Sequence, residues 1–165
     1  MEWAISMITQ YGYIAIFALL ALGIIGLPVP DEIIMVFVGY LSSIMVLNYS
    51  VSILVSFIGA MTGMMISYTL GKKLGQPLVD KHGKWVGLTP KRFARVKGWF
   101  ARFGLWTILF GYFIPGVRHA TSYLSGLSAM PVRKYMLVAS AGSLVWTLIF
   151  ISIGYIAGAN ILLLR

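Results

Sequence analysis

The sequence predicts an all-α integral membrane protein made of two inverted repeats, each a re-entrant helical hairpin followed by a transmembrane helix. Of the 165 residues, 59% are hydrophobic and 10% are charged, and the mean hydropathy is +0.90. These values lie outside the range of soluble domains. The segments 51–70 and 135–164 carry no charge, and each is long enough to cross a hydrocarbon core of roughly 30 Å. We expect one membrane domain that spans residues 1–165.

The basic residues fix the expected orientation. None of the 13 Lys and Arg residues falls in the first 71 positions, whereas nine lie between Lys72 and Arg102. Cytoplasmic loops collect Lys and Arg, so segment 72–102 is predicted to be cytoplasmic, with both termini outside the cell membrane. The absence of a basic residue before the first apolar run argues against a cleaved signal peptide. The clustering also makes nucleic acid an unexpected partner.

The first predicted repeat covers residues 11–71. Its apolar runs, 11–27 and 33–47, are 17 and 15 residues long, which is marginal for crossing a membrane of about 30 Å. They are separated by Pro28-Val29-Pro30-Asp31-Glu32, and proline interrupts a helix. We therefore expect a hairpin that enters from outside, turns at this apex and returns, followed by the first full span.

The second predicted repeat covers residues 103–160 and has the opposite orientation. A 12-residue apolar run, 103–114, is followed by Pro115-Gly116-Val117-Arg118. The hairpin should return to the cytoplasm, where Arg133 and Lys134 precede the last span, in agreement with the positive-inside rule. Inverted repeats of this kind place a binding site near the membrane midplane, where the broken elements meet. Four short spans in place of two hairpins remain the alternative.

The connector 72–102 is predicted to contain an amphipathic interfacial helix. Thr89 can serve as its N-cap and Pro90 as its first residue. Apolar residues then recur at helical spacing: Phe93, Val96, Phe100 and Phe103. Much of the rest is cationic: Lys91, Arg92, Arg95 and Arg102. Such a helix lies at the acyl boundary and binds anionic lipids. A solvated loop is the alternative.

The charges at the two apices are the candidate site. A cation such as Arg118 is costly inside a bilayer and is normally paired or hydrated. We expect Glu32, with Asp31 beside it, to face Arg118 across a hydrated cavity, where Arg118 could bind a phosphate in bidentate fashion. Ordinary aqueous loops, or a salt bridge that only fastens the hairpins, are the alternatives.

Other residues around the apices complete the expected site. His119 could carry a proton near neutral pH, although hydrogen bonding to the backbone is the more common role of such a histidine. Pro30, Pro115 and Gly116 should shape the breaks. Without cysteine or clustered histidine, we expect no metal and no other cofactor. In the first span, Gly59-x3-Gly63 is typical of close helix packing, and a homo-oligomer is compatible with it.

The residues resemble the DedA family, whose shared region is also called the VTT or SNARE-associated Golgi domain. Three motifs carry the resemblance: Pro28-Val29-Pro30-Asp31-Glu32, Gly59-x3-Gly63-x4-Tyr68-x2-Gly71, and Phe113-Ile114-Pro115-Gly116-Val117-Arg118. The resemblance implies two opposed re-entrant loops and movement of lipids between leaflets, including undecaprenyl phosphate and phosphatidylethanolamine. It also matches Glu32 to the family's first-hairpin carboxylate and Arg118 to its second-hairpin arginine.

Two positions depart from the family pattern. Many members have a second acid where this chain has Leu20, and a second arginine where it has Tyr112. Both departures remove charge, which puts proton coupling in question and favours a zwitterionic headgroup over a phosphomonoester. The leading hypothesis is therefore a translocase for phosphatidylethanolamine or else for undecaprenyl phosphate, with Tyr112 among the lining residues.

Three other functions were weighed against this hypothesis. A proton- or cation-coupled exporter would use Glu32 and His119 as relay groups. A structural or partner-binding membrane protein would use the glycine and aromatic faces for assembly. An intramembrane phosphatase would need a nucleophile, a base and a phosphate clamp, and neither histidine lies in such a pattern. We therefore expect no enzymatic activity.

Overall fold

The structure, a computed structural model, describes residues 2–22, 31–82, 94–95, 98, 102–104, 106–110 and 117–163, and within these it consists of helices and short turns. Five helices have defined bounds: α1 (Glu2–Leu22), α2 (Asp31–Ser43), α3 (Tyr49–His82), α4 (Val117–Leu127) and α5 (Val132–Leu163). The shorter pieces between 94 and 110 are helical too. The predicted all-α class is confirmed.

Two helices are long and apolar enough to cross a membrane. They are Tyr49–Lys73, with 25 residues, and Val132–Ile161, with 30 residues. At about 1.5 Å per residue, each exceeds a hydrocarbon core of roughly 30 Å. Both predicted full spans, 51–70 and 135–164, are thereby confirmed as helices.

The predicted connector helix is described only in part. Arg95, Arg102 and Phe103 are helical, and Phe103 is exposed. The other residues that define it lie outside the described part of the chain: Thr89, Pro90, Lys91, Arg92, Phe93, Val96 and Phe100.

The chain forms two compact units that share the long helices. Unit 1 comprises Met1–Gly63 with Ser143–Arg165, and unit 2 comprises Met64–Gly142. Each unit therefore contains part of α3 and part of α5. The predicted repeats, 11–71 and 103–160, are defined by membrane topology. The two units are defined by how compactly their residues pack, so they do not test the repeats.

In unit 1, α1 runs beside α3 in the same direction. A Cβ atom at Gly59 would lie 3.0 Å from the Phe17 carbonyl oxygen, and one at Gly63 would lie 2.8 Å from that of Ala21. Such distances leave no room for a larger residue. The expected packing role of the Gly59-x3-Gly63 motif is confirmed, because both glycines allow backbone contact between helices.

The helices α2 and α5 of unit 1 also meet through glycine. A Cβ atom at Gly39 would overlap the carbonyl oxygen of Ile151, and one at Gly154 would overlap that of Val36. Farther along, a Cβ atom at Gly158 would overlap the side chain of Ser43. Val36 meets Gly154 and Ser43 meets Gly158, with Gly39 between them beside residues 151–155. The two helices therefore run in the same direction.

In unit 2, the equivalent crossing joins α3 and α4. A Cβ atom at Gly71 would overlap the carbonyl oxygen of Tyr123, and one at Gly126 would overlap that of Tyr68. The two backbones touch here with no side chain between them. The position of α4 therefore depends on Gly71 and Gly126.

The helices α2 and α4 end in the same way. Met45 and Ala129 have positive φ angles of 61° and 54°. The amide of the next residue bonds five positions back in each case, from Val46 to the Leu41 carbonyl at 3.0 Å and from Met130 to the Ser125 carbonyl at 3.1 Å. Together with the bonds donated by Met45 and Ala129 to Ser42 and Gly126, these define Schellman caps.

Burial follows the pattern of a membrane protein. Among the described residues, the buried polar or charged side chains are Arg118 and nine Ser or Thr residues. Large apolar side chains such as Ile14, Leu54 and Leu137 are exposed. Small hydroxyl residues at helix contacts and apolar residues on the outside are what a lipid environment favours.

The glycine crossing of unit 2 gives a first prediction. We expect Gly126→Ala to destabilise the protein by about 1–3 kcal/mol, because overpacking a tight contact forces backbone shifts. Thermal unfolding in detergent measures the change. Gly98→Ala is the matched control, since a Cβ atom at Gly98 meets nothing within 4 Å. Equal melting of both variants would contradict the close crossing.

Candidate functional site

The acidic residues lie at the beginning of α2. Asp31 and Glu32 occupy its first turn, and both side chains are partly buried. The amino end of a helix carries a partial positive charge that stabilises carboxylates. Both carboxylates therefore lie at the positive end of the α2 dipole.

The crossing with α5 fixes the level of this acidic turn within unit 1. Val36 contacts Gly154, and Asp31 precedes Val36 by five residues in a parallel helix. At about 1.5 Å per residue, Asp31 is level with residues near 149 of α5. That level is close to the middle of the span Val132–Ile161.

The cationic residue of unit 2 is the second residue of α4. Arg118 is buried, with 4% of its surface exposed. Its carbonyl oxygen accepts hydrogen bonds from Thr121 Oγ1 at 2.8 Å and Ser122 Oγ at 2.9 Å. These bonds tie the backbone at Arg118 to the next turn of α4.

A tyrosine pair connects this turn of α4 to α3 and α5. Tyr135, which is fully buried, donates from its hydroxyl to Ser122 Oγ at 2.8 Å. Its ring stacks on Tyr68, with ring centroids 4.6 Å apart. Tyr68 in turn donates to the carbonyl oxygen of Met130. Tyr68 and Gly71 thus position α4, and sequence analysis missed the role of Tyr135 in this network.

The remaining predicted site residues are only partly described. Pro30, Tyr112, Pro115 and Gly116 lie outside the described residues, and His119 is described in its helical backbone but not in its side chain. Asp31 and Glu32 belong to unit 1, whereas Arg118 belongs to unit 2. The expected approach of Glu32 to Arg118 stays a prediction.

Leu20 occupies the position where the resemblance to the DedA family implied a second acid. Its side chain is fully buried, and its Cβ atom lies 3.3 Å from where a Cβ at Gly59 would be. An acidic side chain here would be forced against the backbone of α3. The position serves apolar packing between α1 and α3.

A cavity of about 440 Å³ opens at the turn between α2 and α3 in unit 1. Its polar lining includes Tyr13, Asn48 and Tyr49. Tyr13 accepts a hydrogen bond from the Asn48 amide at 2.8 Å, and the Tyr49 hydroxyl lies 2.7 Å from Ser152 Oγ. The lining combines residues of the 42–50 turn with Tyr13 and Tyr155, which are far away in the sequence, so no local motif indicated this cavity.

Two long apolar helices, buried hydroxyls and exposed hydrophobic side chains define an integral membrane protein. The family model of the VTT domain matches residues 29–156. The chain therefore belongs to the VTT-domain family, also known as the DedA family, and the resemblance noted from the sequence is confirmed.

Curated relatives support this assignment. The chain is 50% identical to the uncharacterized membrane protein YbfM of Bacillus subtilis, over 96% of this chain and 98% of the relative. It is 27% identical to undecaprenyl phosphate transporter A of the same organism, over 94% and 77%. An alkaline phosphatase-like protein of Lactococcus lactis is 28% identical over 96% and 77%. No solved structure matches significantly.

The tyrosine network gives a second prediction. We expect Tyr135→Phe to lose about 1 kcal/mol or more of stability, because it removes a buried hydrogen bond and leaves Ser122 with an unused acceptor. Thermal unfolding in detergent tests this. Tyr11→Phe is the control, since Tyr11 is 57% exposed. If both substitutions left the melting temperature unchanged, the network would not hold α4.

Proposed function

We propose that the protein is a lipid translocase of the cytoplasmic membrane. The observation that carries this is the acidic turn of α2 at the level of the middle of an apolar span, in a chain whose family includes a named undecaprenyl phosphate transporter. Polar groups at such a depth can replace the water that a lipid headgroup loses when it crosses. The acyl chains would remain in the surrounding hydrocarbon.

The proposed architecture is a pair of inverted repeats, each with a re-entrant hairpin. Three glycine pairs support it: Gly59 and Gly142, Gly71 and Gly154, and Gly75 and Gly158 are each separated by 83 positions. Gly154 lies at the crossing with α2, and Gly71 lies at the crossing with α4. The shared Schellman caps of α2 and α4 also support a repeat.

The proposed headgroup chemistry divides between the two charged turns. Arg118 would bind the phosphate through its guanidinium group, and Glu32 or Asp31 would bind an ammonium. This arrangement suits a zwitterionic aminophospholipid such as phosphatidylethanolamine. The apolar packing of Leu20 supports it, because the buried position between α1 and α3 contributes no second acid to the site.

Undecaprenyl phosphate is the second candidate substrate. The name of the relative that is 27% identical over 94% of this chain favours it. Its headgroup carries no ammonium, so Glu32 and Asp31 would have no partner on it. Comparing the two lipids in one assay therefore separates the candidates.

A transport assay gives the third prediction. We expect Arg118→Gln and Glu32→Gln each to slow movement of acyl-labelled phosphatidylethanolamine between leaflets of proteoliposomes at least about tenfold, since hydrogen bonds to charged groups contribute roughly 1.5–3 kcal/mol. Insertion should be unaffected. Lys73→Gln is the control, because Lys73 is exposed. Unchanged rates in both site variants would reject the mechanism.

The orientation gives the fourth prediction. The chain contains no cysteine, so single cysteines report on each side of the membrane. We expect Met45→Cys, at a position 89% exposed in the α2–α3 turn, to react with an impermeant thiol reagent from outside. Lys73→Cys should react only from the cytoplasm, because basic residues collect there. The reverse pattern would invert the topology.

A further inference from the structure

The face of α5 that contacts α2 extends toward the amino-terminal end of α5, where it is lined by further small residues. Ile151, Gly154 and Gly158 contact α2. Residues Ser143 and Thr147 precede Ile151 at intervals of four, so they lie on the same face of the helix. Because α2 is parallel to α5, these two residues continue the α2-facing stripe of α5 toward the acidic end of α2. All of these residues belong to unit 1.

Along this face of α5, the residues that contact α2 are apolar or glycine, whereas Ser143 and Thr147 carry hydroxyl groups. Ser143 and Thr147 have no exposed surface, and their hydroxyl oxygens have no hydrogen-bond partner in the described structure. Several buried hydroxyls elsewhere in the chain bond the carbonyl four residues back, as Ser42, Ser122 and Ser125 do, whereas Ser56 on α3 also lacks a partner among the described residues. This local bond is available to any helical Ser or Thr. The hydroxyls of Ser143 and Thr147 are thus left available to another partner.

We propose that Ser143 and Thr147, together with the acidic first turn of α2, form a subsite for a primary ammonium group. Asp31 and Glu32 supply negative charge, and the two hydroxyl oxygens accept N–H hydrogen bonds. A primary ammonium has three N–H donors, as in the lysine side chain, whereas a trimethylammonium group has none. The subsite therefore selects ethanolamine over choline. This inference rests on the proposed lipid translocation and names the residues that set its selectivity.

The selectivity is tested with acyl-labelled phosphatidylethanolamine and phosphatidylcholine in proteoliposomes. We expect the Ser143→Ala/Thr147→Val variant to reduce the ratio of ethanolamine to choline lipid movement about tenfold or more, because a hydrogen bond to a charged group is lost at each position. Thr147→Ser keeps the hydroxyl and should restore the ratio when Ser143 is intact. Ser140→Ala is the control, since Ser140 Oγ bonds the Leu137 carbonyl. An unchanged ratio in the double variant overturns the proposal.

A second measurement does not depend on lipid movement. Ser143 and Ile151 are both fully buried, but a subsite that admits a headgroup has to open to water, whereas Ile151 is packed against α2 at Gly39. In the cysteine-free chain, Ser143→Cys should therefore react with a small water-soluble thiol reagent and be protected by ethanolamine but not by choline, and Ile151→Cys should not react. Equal protection by both amines, or no reaction at Ser143→Cys, overturns the subsite.

The two measurements separate the possible failures. Selective protection in a protein that moves neither lipid would refute lipid translocation and assign the subsite to free amines. Movement of ethanolamine lipid with neither selective protection nor a changed ratio would refute the subsite and leave translocation standing.

Discussion

The architecture depends on backbone contact between helices at glycine. Gly39 and Gly154 bring α2 against α5, and Gly71 and Gly126 bring α4 against α3. In a lipid environment, helices gain little from hydrophobic burial against one another, so van der Waals contact between closely approaching backbones becomes the main attraction. These crossings hold each short helix, with its charged first turn, against a long one. A side chain at any of these glycines would push a charged turn out of register.

Much of the fold was predictable because it follows from composition and length. The two uncharged segments predicted the helices now seen at Tyr49–Lys73 and Val132–Ile161. The packing role of Gly59 and Gly63 also followed from their spacing. In each case a local pattern, readable in one stretch of sequence, determines the outcome.

The supporting parts of the candidate site could not be predicted in the same way. Tyr135 is 13 residues from Ser122 and 71 from Met64, yet it contacts both, and such contacts depend on how helices cross. Ser143 and Thr147 look like ordinary residues of an apolar span until the start of α2 is placed beside them. The sequence alone offered no reason to pair Gly75 with Gly158. Their separation of 83 positions equals that of Gly71 and Gly154, and this match is informative only because both of those glycines lie at helix crossings.

The length of α5 ties the molecule to the thickness of its membrane. A 30-residue apolar helix is about 45 Å long, whereas the hydrocarbon layer measures roughly 30 Å, and a helix that exceeds the layer relieves this mismatch by tilting or by thickening the bilayer around it. Because α2 is joined to α5 through Gly39 and Gly154, any change in tilt carries the acidic turn with it. The acyl-chain length and the lipid order of the host membrane should therefore affect the position of the acidic turn.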